Sequence, residues 1–350
     1  MRRVELNADL SPHLWVILEH LLSLDQLYLK AAWKECNRAD RGYAQFQTTY
    51  SNGKSRTIHI PSPTIKKVQV HILKHLLYQV SISRHAYGGV PKRSYLDAAQ
   101  LHLKQPGHLL HLDIHNAFSS TTYVFIAQAL RKSLKPMLWV FNLNRADRKV
   151  IIGWLTHLLV VSPQGGSFPS LPLGTPTSLA TFNHVWAPID SQIEGLYRRL
   201  MPNTEVRYSR YVDDLTFSCD RPLHPDLAPQ IEFLLKEWNY TLNPKKQRVS
   251  QRDQAIVHGL KWQDGHLIHP PQVLVHLQKK IQHLSSQIQN SPTPQVWHEA
   301  QALHRDIQIM SKQIYGDQVP QELHISDDFL LQLQAHHPSP SPRWVDELWG

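Results

Sequence analysis

Residues 205–219, EVRYSRYVDDLTFSC, constrain this chain more than any other segment. Apolar and aromatic side chains alternate with polar ones on both sides of Asp213-Asp214, the period-2 pattern of a strand. Two such runs meeting at a pair of turn-forming residues predict a β-hairpin with Asp213-Asp214 at its turn. Adjacent carboxylates repel each other and raise one pKa, and a divalent cation between them relieves the repulsion. Hard oxygen ligands of this kind suit Mg²⁺. A solvated turn uses the same residue types, so Tyr211-Val212-Asp213-Asp214 alone leaves both readings open.

A second segment narrows the choice. HLLHLDI, residues 108–114, reads as a buried strand that delivers Asp113 at its end. An aspartate there also suits a turn or a helix N-cap. Two strands that end in carboxylates can converge on one pair of metal ions. Such a pair activates an attacking hydroxyl and stabilises a leaving pyrophosphate in an in-line displacement.

The rest of the chain mixes helix and strand. Helical spacing of apolar residues runs through 12–36, as one element or two helices, and again through 64–82. SRTIHIP, residues 55–61, reads as a strand closed by Pro61. Helices are expected over 122–134, 146–161 and 228–240, and two short strands flank Asp264-Gly265 within 255–269. A Gly/Pro/Ser-rich loop covers 162–174, after which Thr175 as N-cap and Pro176 as first helical residue predict a helix start. Two late helical stretches, 272–290 and 295–314, precede a Pro/Ser-rich tail at 336–350. The fold class expected is α+β followed by a helical module.

Charge points to an acidic partner. The 350 residues carry a net charge of +9. Residues 263–350 hold five Lys/Arg against nine Asp/Glu, which leaves +13 for residues 1–262. A polyanion such as a nucleic acid is therefore expected mainly against the first 262 residues. Cys36 and Cys219 lack CxxC spacing, so neither a disulfide framework nor a zinc site is expected. The 23 histidines include no HExxH-type ligand set. No leader and no membrane span is read, and a reducing, cytoplasmic setting is expected.

With these segments in order, the chain resembles the reverse transcriptases across about residues 54–262. SRTIHIPSPTIKKVQ is similar to the fingers segment before the palm, and HLLHLDIHNAFSS to the first palm motif. SLPLGTPTSLATFNHV resembles the nucleotide-binding loop and helix usually written LPQGxPxSP. YVDD is the catalytic turn of that family. LNPKKQRV resembles the later lysine motif, and VHGLKW the primer-grip hairpin. Within the family the resemblance is nearest to bacterial retron and retron-like, defence-associated enzymes. Ala98-Ala99-Gln100-Leu101-His102 stands where retrons carry NAxxH, and Val257-His258-Gly259 where they carry VTG.

The resemblance implies a right-hand polymerase. N-terminal helices and fingers would occupy 1–107, a palm of antiparallel sheet packed on helices 108–262, and a helical thumb 263–335. It implies two Mg²⁺ ions on Asp113, Asp213 and Asp214. Lys246, or else Lys245, would protonate or neutralise the departing pyrophosphate; a solvated charge run is the alternative. Phe118 falls at the steric-gate position that excludes ribonucleotides, where a core aromatic is the competing reading. Arg56 would hold the triphosphate, or is a surface arginine. Gly174 would let the backbone approach the incoming base pair. Leu173 stands where the family usually has Gln, so an amide that hydrogen-bonds the nucleotide is missing. Ile114 and Tyr211 complete the implied nucleotide pocket. The implied partners are a structured noncoding RNA template, an RNA–DNA hybrid, dNTPs and an effector protein, and the implied role is antiphage defence. A separate RNase H domain is not expected after the thumb. A group II intron or diversity-generating enzyme, and an idle RNA-binding protein of the same fold, remain as alternatives.

Overall fold

The computed structural model describes residues 10–38, 41–49, 55–105, 107–162, 168–290, 294–315, 319–320 and 323. The tail at 336–350 and the middle of the loop at 162–174 lie outside them. The described residues divide into two compact units. The first lies within Met1–Ser94, Leu110–Ser218 and Leu223–Arg248, and the second within Tyr95–Leu109, Cys219–Pro222 and Val249–Gly350.

The first unit begins with helices α1 (Pro12–Leu22) and α2 (Gln26–Cys36), so the expected helical stretch is two elements. The hairpin β1 (Tyr43–Thr49) and β2 (Ser55–Pro61) follows, with Tyr43 opposite Pro61. Helix α3 (Pro63–His75) starts as its sequence directs: the Ser62 hydroxyl accepts the Ile65 N–H, and Pro63 takes the first helical position. It ends earlier than the expected 82, because Leu76 leaves helical geometry at φ −121°. Leu76 and Leu77, just past the helix end, are both buried.

The second unit opens with α4 (Tyr95–Leu103). Strand β3 (His108–Asp113) then carries the chain back to the first unit, where α5 (Ala117–Ser120), α6 (Tyr123–Ser133), α7 (Lys135–Trp139) and α8 (Arg145–Leu158) follow. Trp154 of α8 is buried edge-on to Trp15 of α1 and stacked on Trp33 of α2, with ring centroids 5.9 and 6.0 Å away. Aromatic pairs at these separations add to the stabilisation from buried area.

Helix α9 (Ser178–Leu200) begins two residues later than Thr175 and Pro176 suggested. Thr175 caps nothing there. Its hydroxyl meets the Ser178 hydroxyl at 2.6 Å, and Ser178 donates to the Pro172 carbonyl at 2.6 Å. The hydroxyls stitch a turn before the helix, and that use outcompetes capping.

Strands β4 (Arg207–Tyr211) and β5 (Asp214–Cys219) form the expected hairpin, with Tyr211 opposite Asp214. The two turn residues are therefore Val212 and Asp213, and Asp214 is the first residue of β5. The polar positions of these strands are not solvated: Ser209, Arg210, Thr216 and Ser218 are all buried. Strands β4, β5 and β3 stand side by side in that order. Helix α10 (Leu227–Glu237) packs on α9.

The second unit continues with β6 (Arg248–Gln251), from Val249 on, and the hairpin β7 (Lys261–Gln263) and β8 (His266–Ile268). Asp264 (φ 50°) and Gly265 (φ 86°) form its turn; both central residues are left-handed, one of the two patterns that match the strand twist in a two-residue hairpin. Helices α11 (Pro271–Asn290) and α12 (Pro294–Met310) close Ile281, Leu284, Ile288, Trp297 and Leu303 into one apolar cluster. The expected α+β class with late helices is what the chain adopts. No helix among the described residues is long and apolar enough to cross a membrane.

Candidate functional site

Three carboxylates come together in the first unit. Asp113 ends β3, Asp213 sits in the β4–β5 turn, and Asp214 opens β5. One oxygen from each lies within 4.8 Å of the others. Backbone bonds fix the meeting of the strands: the Ile114 N–H donates to the Asp213 carbonyl at 2.9 Å. The Asn243 N–H donates to the Asp113 carbonyl at 2.8 Å, and the Asn243 side-chain amide donates to the Asp113 carboxylate at 3.2 Å.

The charges are poorly compensated. Asp113 is buried at 5% exposure, and Asp213 and Asp214 are half-buried. Burial and the neighbouring Asp213 and Asp113 charges push the Asp214 carboxyl up to about 7. Burial, then the Asp113 charge, raises Asp213 as well, against the opposing pull of Lys246 and Arg56. Lys246 pairs with the cluster, its ammonium 2.5 Å from Asp113 Oδ2. Burial works against that ammonium, but the bond to Asp113 and the carboxylate charges outweigh it and raise its pKa. An oxygen-only set still repelling itself despite the charges of Lys246 and Arg56 fits a hard divalent cation. Asp113, Asp213 and Asp214 are the residues that would hold it.

The other expected residues gather in the same unit. The short turn Pro244–Lys246, opened by Asn243, presents Lys246 rather than Lys245 to Asp113. Phe118 is half-exposed at α5 and stacks on the buried Phe182, with centroids 5.5 Å apart. Gly174 has φ 102°, and the Leu173 carbonyl before it accepts the His59 N–H of β2 at 2.8 Å. A Cβ on Gly174 would lie 2.5 Å from Ile58 Cγ2. Arg56 is exposed on the same hairpin, and its charge reaches Asp213. Tyr211 is half-buried beside the turn. The Ile114 side chain is buried, so its backbone is what faces the cluster.

Sequence reasoning missed the groups that brace the turn. Arg210 is fully buried and ion-paired with the fully buried Asp190 of α9. Its Nε and Nη2 each donate to Asp190 at 3.0 Å. Its Nη1 donates to Asn183 Oδ1 at 3.0 Å and to the Val212 carbonyl at 3.2 Å. Tyr208 also donates to Asp190, at 2.8 Å. The available signal was a charge at a position whose period demands burial, with an acid inside a helix of apolar neighbours.

An antiparallel sheet backed by helices, with carboxylates converging from two strands, defines the palm of a right-hand polymerase. The chain belongs to the family described as reverse transcriptase (RNA-dependent DNA polymerase), whose model matches residues 46–288. It is 29% identical over 222 residues to the retron Mx65 reverse transcriptase of Myxococcus xanthus, covering 61% of this chain and 49% of that protein. The retron Mx162 reverse transcriptase of the same organism is 26% identical over 249 residues, 66% of this chain and 49% of the relative. The retron Ec86 reverse transcriptase of Escherichia coli is 26% identical over 209 residues, 59% and 58% respectively. The chain spans about half the length of the first two of these relatives.

Proposed function

We propose that this chain is an RNA-directed DNA polymerase of retron type that copies a partner noncoding RNA into DNA. The observation that carries the reading is the approach of the Asp113, Asp213 and Asp214 carboxylates to within 4.8 Å of one another inside the matched segment. A pair of Mg²⁺ ions held there supplies activation of the primer hydroxyl and stabilisation of pyrophosphate.

The remaining steps belong to the chain. Lys246, already hydrogen-bonded to Asp113, neutralises or protonates the leaving group. Arg56 of the β-hairpin holds the triphosphate. Phe118, backed by its stack on Phe182, presses on the sugar 2′ position and rejects ribonucleotides. Gly174 brings bare backbone to the nascent base pair, with Leu173, Ile114 and Tyr211 around it. Fingers at 1–107, palm at 108–262 and thumb at 263–335 grip an RNA–DNA hybrid by shape and backbone. Copying serves antiphage defence in the cytoplasm, together with an effector protein. Cys36 and Cys219 are both buried and neither is in a disulfide, which suits a reducing compartment.

Primer extension on poly(rA)/oligo(dT) tests the activity. Mg²⁺-dependent dTTP incorporation is expected in the wild type and absent after Asp213→Ala with Asp214→Ala. Equal incorporation by the double variant rules this site out.

A further inference from the structure

The turn that carries Asp213 is held in a conformation its own sequence disfavours. Val212 has φ 57°. A β-branched residue at positive φ is strained, and glycine is the usual occupant of the first turn position when only that position is left-handed. Such strain persists only where the surroundings over-determine it, and it collects at functional sites.

Two contacts do so here. On one side, the Arg210 guanidinium donates to the Val212 carbonyl while Asp190 and Asn183 fix its other nitrogens. Residues 183 and 190 are seven apart, so both lie on one face of α9. Phe182 and Trp186 stand 5.4 and 5.3 Å from the guanidinium and seal it from water. On the other side, Gly88 lies against the turn. A Cβ there would come 2.6 Å from Val212 Cγ2 and 2.8 Å from the Val212 nitrogen. Gly88 is itself tied to the brace, because its carbonyl accepts the Asn183 amide at 2.9 Å. The backbone before it is tied too: the Tyr87 N–H donates to the Arg210 carbonyl at 2.8 Å.

We propose that Arg210, anchored by Asp190 and Asn183 and faced by Gly88, is a positioning residue that holds Val212 left-handed and so aims the Asp213 and Asp214 carboxylates at Asp113. The inference rests on the polymerase reading only for its catalytic readout. Arginine is required rather than any cation. A lysine keeps the charge opposite Asp190, but its three donors sit on one nitrogen and cannot reproduce the four bonds that Nε, Nη1 and Nη2 make to Asp190, Asn183 and the Val212 carbonyl. Loss of the bond to Val212 lets the turn relax, and a misplacement of about 1 Å at a reacting centre costs on the order of a hundredfold.

The test is Arg210→Lys in the full chain, with folding checked by circular dichroism. The kcat for dTTP incorporation is expected to fall about tenfold to a hundredfold, with KM for dTTP changed less than about threefold. Adding Val212→Gly, which adopts positive φ without strain, is expected to restore much of kcat. A purely structural ion pair would give no such rescue. Gly88→Ala leaves the ion pair intact and is expected to give the same split, which covers the case in which Arg210→Lys does not fold. Wild-type kcat in either folded single variant overturns the proposal. A wild type without incorporation would refute the polymerase reading instead. The brace is then read from Mn²⁺ affinity, which both variants are expected to weaken about tenfold if it holds and leave unchanged if it does not.

Discussion

Neutralising Asp214 should make the ion-free protein more stable while it removes activity. Its carboxyl is pushed from 3.8 up to about 7 by burial and by the charges of Asp213 and Asp113. Between those values the folded state holds a proton that the unfolded chain has released. Stability is therefore present below about pH 4 and is lost as pH rises to about 7. The full shift corresponds to about 4 kcal/mol. Solvent screening at a half-buried turn reduces this to about 2 kcal/mol. Asp214→Asn removes that penalty at nearly constant shape. In EDTA at pH 8 its Tm should exceed that of the wild type by about 4–8 °C, and the gap should close towards pH 4. Mg²⁺ should raise the wild-type Tm by linkage and the variant's much less. Scanning calorimetry at pH 4, 6 and 8, with and without Mg²⁺, reads all of this. A variant no more stable than the wild type at pH 8, or a gap independent of pH, would refute the electrostatic reasoning.

Other consequences are measurable independently. Phe118→Ala should raise ribonucleotide incorporation relative to dNTP, and an unchanged ratio removes its gate role. Gly174→Ala should cost about 1–3 kcal/mol, because the position has φ 102° and the new Cβ would also lie 3.1 Å from the His59 carbonyl; urea titration checks it. Burial and then Arg41 lower the His157 pKa to about 4. Between pH 6.5 and 4 the unfolded chain binds a proton that the folded state refuses, so stability falls as pH drops through that window. The stability difference between wild type and His157→Gln should accordingly shrink on acidification, measured by thermal melts at pH 7 and 5.

What the sequence disclosed follows from which interactions are local. The β4–β5 hairpin and β3 were legible because period 2 and turn residues are properties of a few neighbouring positions. The Asp triad was legible because carboxylates at strand ends make little sense without a counter-charge. The register of the turn was less so. The aspartates were expected at its two central positions, yet Val212 takes the first and Asp214 enters β5. Arg210, contributed by the strand but anchored on α9, and Gly88 lie against the left-handed valine there, and those contacts are tertiary. The α9 start was misread for the same reason, since Thr175 looks like a cap until Ser178 claims its hydroxyl. The choice of Lys246 over Lys245 depended on the turn opened by Asn243, whose amide also holds Asp113.

Binding of Mn²⁺, followed by electron paramagnetic resonance in the presence of an RNA–DNA hybrid and dNTP, reports directly on what residues 113, 213 and 214 do together. Wild-type protein should take up two tightly held ions, and Asp113→Asn and Asp213→Asn should each lose that uptake. Undiminished stoichiometry and affinity in both variants would show that the three side chains do not form a common metal site.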